Sequence, residues 1–116
     1  MKFVTLMVIV PSQDEDKFKK VAKEAGASGA TVIQAKGSGV EEKQSFFSLT
    51  FEGNHTVLLY VLEENTSRTV LKAIKAIIEE EKKDALAFTM PISSIVGLDK
   101  SLISKFEKNI EDEEIL

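Results

Sequence analysis

An α+β fold, one antiparallel sheet covered on one face by two helices, is predicted by three features of this 116-residue sequence. The first is the β-branched apolar run at residues 3–10, closed by Pro11. A strand with so little polar alternation reads as one covered on both faces, hence central in its sheet. The second is a pair of segments, 18–25 and 70–78, whose apolar residues recur at helical spacing. The third is their order along the chain, in which helices alternate with strands until two strands follow one another.

After the first strand, Ser12 and Glu15 form the spacing of a capping box, and Phe18, Val21, Ala22 and Ala25 make the apolar stripe of a helix that Gly26 ends. Residues 30–36 read as a second strand, and "GSGVEEKQ" after it is polar and turn-like. "SFFSLTFE" at 45–52 and "TVLLYVL" at 56–62 read as two strands of a hairpin, with "GNH" and its His55 in the turn. Asn65 or Thr66 is expected to cap a long helix with a stripe of Val70, Ala73, Ile74, Ile77 and Ile78. A last strand covers 85–96, bent or ended at Pro91. A third helix is expected from Asp99 or Ser101, with Leu102, Phe106 and Ile110 as its stripe and an acidic tail. With 45–52 set beside 56–62 as a hairpin arm, the order is read as the β-α-β-β-α-β of the ferredoxin-like sandwich, here over residues 1–98, with a C-terminal helix and tail added over 99–116. Such a sheet leaves one face without helices, and several residues of "FVTLMVIV" and "VLLYVL" bound for that face are apolar, which points to oligomerisation.

Composition narrows the function. An apolar share of 43% and a charged share of 29% are those of an ordinary globular domain. The absence of cysteine excludes a disulfide framework and thiolate zinc sites, fitting a cytoplasmic protein, and a single histidine makes no case for a metal. A net charge of -4 with one arginine, Arg68, argues against nucleic-acid binding. The apolar run at 6–11 is far short of the roughly 20 residues that cross a bilayer, so no membrane insertion is expected. Ser93 and Ser94 have no histidine to activate them, and Arg68 at the start of the second helix does not suit an anion loop, so no catalytic residue is identified.

The stretch "GASGATVIQAKGSG" at 26–39 holds four of the six glycines. It is not a Walker loop, because Lys36 precedes its glycines and no helix follows, and it is not a dinucleotide fingerprint, because it follows a helix. Turns and a loop base account for it on physical grounds. The stretch also resembles the nitrogen-regulatory PII signalling proteins, whose Gly-x-x-Gly-x-Thr-Val segment leads through three residues to Lys-Gly-x-Gly at the base of a mobile loop. The resemblance covers about residues 2–98. It implies a homotrimer packed through its sheets, with clefts between subunits that take adenine nucleotides, and a loop that docks on a transporter, enzyme or transcription factor. By this resemblance Lys36, Gly37, Ser38 and Gly39 fall on the cleft-lining loop base, and Ser28 falls where a neighbouring subunit's threonine touches the nucleotide. Val40, Glu41, Glu42, Lys43 and Gln44 fall on the docking loop.

The sequence departs from the family in three places. The docking loop is short and has no tyrosine, so uridylylation is not expected. The family's second glycine-rich phosphate loop aligns with "EEEKKDAL", which has no glycine, and the family's two arginines fall near Ser94 and Gly97. Lys82 and Lys83 are left to act as point charges without the bidentate fork of arginine. The ligand and the regulated partner are not identified by any residue. A ferredoxin-like amino-acid-binding module and a ligand-free structural trimer are the alternative readings.

Overall fold

The computed structural model describes residues 1–35 and 54–98, with the backbone of 44–46 and 49–51. The expected loop base at 36–39, most of the docking loop and the C-terminal helix lie outside the described residues.

Strand β1 (Phe3–Pro11) is followed by a 3-10 turn (Ser12–Asp14) and helix α1 (Glu15–Glu24), then β2 (Thr31–Ala35). Two short strands, β3 (Gln44–Phe46) and β4 (Leu49–Phe51), precede β5 (His55–Glu63), which runs directly into helix α2 (Glu64–Glu81) and then β6 (Leu86–Pro91). The main sheet has the order β2-β5-β1-β6, and every pairing is antiparallel. This is the ferredoxin-like arrangement, with β1 central as its unbroken apolar run requires.

Antiparallel partners point their side chains to the same face. Val4, Leu6, Val8 and Val10 of β1 therefore share a face with Leu62, Tyr60, Leu58 and Thr56 of β5. Both helices cover that face, and Phe18, Ala22, Val70 and Ile74 pack into one buried cluster with the strand residues. The other face carries Met7, Ile9, Val57, Leu59, Val61 and Phe88, and no described helix covers it.

Five local expectations are corrected. Ser12 does not cap α1: its hydroxyl bonds Thr56, and a 3-10 turn intervenes before the helix starts at Glu15. Residues 45–52 are not one strand paired with β5. Strand β5 already uses both edges, on β1 and on β2, so β3 and β4 pair with each other instead. His55 is not in a turn but opens β5, buried opposite Pro11 and Ala35. Helix α2 is capped by neither Asn65 nor Thr66. No loop separates it from β5, so the last strand residue, Glu63, turns its carboxylate onto the backbone N–H groups of Asn65 and Thr66 at 2.9 and 3.1 Å. The last strand ends at Pro91, one of the two outcomes expected there, and what is corrected is that residues 92–96 are not strand.

Gly26 stops α1 as expected. Its φ of +117° is one that side-chain-bearing residues avoid, and a Cβ there would stand 3.3 Å from the Thr66 methyl.

Replacing Phe18, which is fully buried between helix and sheet, by alanine is expected to cost about 3–5 kcal/mol in a denaturant unfolding curve. Glu63→Ala leaves two amides at the start of α2 without their acceptor and is expected to cost about 1–2 kcal/mol in the same measurement.

Candidate functional site

The sheet register places the chemistry at two ends of the molecule. Pro11 faces His55, and His55 faces Ala35, so the start of α1, the exit of β2 toward Lys36 and the start of β5 all meet at one end. Helix α2 finishes where α1 begins, which brings the 81–84 turn to the same end: Lys17 pairs with Glu81, and Lys83 Nζ donates to Asp14 Oδ1 at 3.1 Å.

A polar network joins these segments. Thr56 has no exposed surface, and its hydroxyl lies 3.0 Å from Ser12 Oγ, 3.1 Å from Gln34 Oε1 and 3.3 Å from Glu15 Oε1. A hydroxyl has one proton to give, so Thr56 accepts from Ser12 and donates to Gln34 or Glu15 in turn. Gln34 Nε2 donates to Glu15 Oε1 at 2.9 Å. The last polar side chain of β2 before Lys36 is thus tied to the first turn of α1. Sequence reasoning missed this network. It read the Ser12-Glu15 spacing as local, whereas both side chains reach across the chain to partners on β2 and β5.

The expected site residues divide between the two ends. Lys82 caps α2 in the left-handed conformation, φ +50°, with its N–H on the Ile78 carbonyl. Lys83 is half-buried and committed to Asp14, so much of its charge is balanced. Both lie at the end where β2 exits. Ser28 is exposed in the turn after α1, at the opposite end, roughly 15 Å away by the length of a ten-residue helix. Gln44 opens β3 opposite Phe51. Lys36, Gly37, Ser38, Gly39, Val40, Glu41, Glu42 and Lys43 lie outside the described residues.

Among the described residues no group of three or more acidic, histidine or cysteine side chains is placed to hold a metal, and no helix is long and apolar enough to cross a membrane. A 330 Å³ groove between α2 and the edge strand β6 is lined by Leu71, Ile78, Ala85, Leu86 and Ala87, and its two charged residues, Lys75 and Glu79, pair with each other.

Residues 1–100 match the family model described as nitrogen regulatory protein P-II. No curated protein matches the chain. Among solved structures, one described as a PII-like signalling protein, from Thermus thermophilus, aligns at 21% identity over 79% of this chain and 91% of that one, with a TM-score of 0.55. CPII of Thiomonas intermedia, in a structure bound to ADP, AMP and acetate, aligns at 17% identity over 91% of this chain and 98% of that one, TM-score 0.62. The same protein bound to ADP, AMP and bicarbonate aligns at 13% identity over 84% and 98%, TM-score 0.60. At these identities the likeness to solved structures establishes the fold.

Thr56→Val keeps the volume but strands the partners of the hydroxyl. It is expected to lower stability by about 1–3 kcal/mol, and hydrogen exchange of the β2 amides should quicken more than that of β1.

Proposed function

We propose, because this chain belongs to the nitrogen regulatory protein P-II family, that it is a non-enzymatic signalling protein of the cytoplasm. In this reading it forms a homotrimer whose inter-subunit clefts take an adenine nucleotide. The observation that carries this reading is the separation of the site residues. Lys82, Lys83 and the β2 exit toward the Lys36–Gly39 segment lie at one end of the chain, and Ser28 lies at the other. One small ligand touches both sets only if they come from neighbouring chains. The helix-free apolar face with Met7, Val57, Leu59 and the exposed Ile33 supplies the surface on which chains would pack.

Backbone N–H groups of the Gly37 and Gly39 region would approach the phosphates, Lys36 would add charge, and the nucleotides found on the Thiomonas protein indicate the ligand class. Lys82 and Lys83 would contribute only point charges. The segment Val40–Gln44 would dock on a partner, a transporter or an enzyme, and its conformation would carry the bound state of the cleft. The 99–116 segment, with its predicted helix, would lie outside this ferredoxin-like unit.

Sedimentation at micromolar concentration is expected to give three times the 12.8 kDa chain mass; a monomer overturns the reading. ATP, ADP or AMP at about 100 times its dissociation constant should add about 2.7 kcal/mol of stability, seen as a thermal shift that Gly37→Asp removes. A trimer that no nucleotide stabilises would be a structural one.

A further inference from the structure

Among the described residues four lysines stand within ion pairs, and two that do not lie together on α1. Lys17, Lys75 and Lys83 each stand within an ion pair, to Glu81, Glu79 and Asp14. Lys20 and Lys23, on the second half of α1, make no ion pair among the described residues, and Lys19 beside them is paired with Glu15 at 3.7 Å. These three side chains border one cavity of about 410 Å³ at the C-terminal end of α1, the end opposite the β2 exit toward Lys36. In a chain of net charge -4 this is a local reversal of sign.

The rest of the cavity wall has a different character. Tyr60 lines it from β5 although the residue is only 3% exposed, and Ser28 borders it from the turn. Burial raises the Tyr60 phenol above its ordinary range. Ala27 and Ala30 complete an apolar floor. Gly29, at φ +77°, has open space where a Cβ would stand, so the turn does not fill the cavity.

We propose that this cavity is an anion site for a small phosphorylated metabolite, with Lys19, Lys20 and Lys23 on the phosphate and the non-ionic part against Tyr60 and the alanine floor. The size favours a small molecule, since ligand cavities start at roughly 300 Å³. The C-terminal end of α1 carries a partial negative charge of about half a unit, which opposes an anion, but the unpaired charges of Lys20 and Lys23, with Lys19 shared with Glu15, outweigh it. The site is built within one chain, so it does not depend on the inter-subunit cleft. Ser28 alone belongs to both readings.

The test is calorimetric titration of the full chain with inorganic pyrophosphate, comparing wild type, the triple variant Lys19→Gln, Lys20→Gln, Lys23→Gln, and Gly37→Asp. Wild type is expected to bind saturably and more weakly as salt rises, and the triple variant to lose about tenfold or more in affinity. Gly37→Asp, which removes the phosphate contacts proposed for the cleft, should keep one saturable pyrophosphate site per chain that the triple variant lacks. Absence of saturable binding to wild type, or unchanged affinity in the triple variant, overturns the proposal. So does loss of all pyrophosphate binding in Gly37→Asp, which would place the anion at the Lys36–Gly39 stretch. If circular dichroism shows the triple variant unfolded, Lys20→Gln and Lys23→Gln are titrated singly, each expected to weaken binding about threefold, and wild-type affinity in both overturns the site. Failure of nucleotides to stabilise the protein while pyrophosphate still binds bears only on the cleft.

Discussion

The pairing of β1 with β5, in unbroken register from Phe3 opposite Glu63 to Pro11 opposite His55, is the constraint on which the rest of the molecule depends. Because side chains alternate across a strand, this register aligns Val4, Leu6, Val8 and Val10 with Leu62, Tyr60, Leu58 and Thr56 on the helix side. A slip of one residue would send all of them to the helix-free face and bring Met7, Leu59 and their neighbours under the helices. The same pairing sets the ends of the molecule. It puts the start of α1 beside the exit of β2, and so decides which residues can share a site.

The helices are held on the sheet chiefly by apolar burial. Phe18, Val70 and Ile74 have no exposed surface, and each contributes roughly 1.5–3 kcal/mol by leaving water. The ion pairs between the ends of α1 and α2, Lys17 with Glu81 and Lys83 with Asp14, are near the surface, where the usual contribution is about 0–1 kcal/mol. Their effect is more one of position. They hold the 81–84 turn against the first turn of α1, in a place where Lys82 already adopts a conformation that costs a side-chain-bearing residue about 1–2 kcal/mol.

The Thr56 network does with polar groups what the core does with apolar ones. A buried hydroxyl without partners is costly, and here it is satisfied from three elements at once. That makes the stretch of β2 before Lys36 sensitive to where α1 begins, and it couples two parts of the chain that sequence separation alone would leave independent. The ends of α1 differ accordingly. One is tied by polar contacts to the sheet and the β2 exit, and the other borders a cavity rimmed by Lys19, Lys20 and Lys23.

The sequence by itself determined the strands and helices of the main sheet, the central place of β1, the helix stripes and the end of α1 at Gly26, because each is written in a local period or in a glycine's backbone freedom. Phe18, Ala22, Val70 and Ile74 were legible as core from their spacing. The glycine segment's order was legible as a family resemblance, and the family match over residues 1–100 agrees with it. The caps were not legible. Ser12 has the local look of a cap but meets Thr56, and Glu63, a strand residue by pattern, caps α2 because the strand enters the helix without a loop. Nor could spacing place residues 44–51, since that required knowing that β5 spends both edges on β1 and β2. Only the tertiary structure decided which charged side chains stand together, committing Lys83 to Asp14 and gathering Lys19, Lys20 and Lys23 around one cavity. Hydrogen bonds and charge pairs between distant segments depend on which elements the register makes neighbours, and no local pattern carries that information.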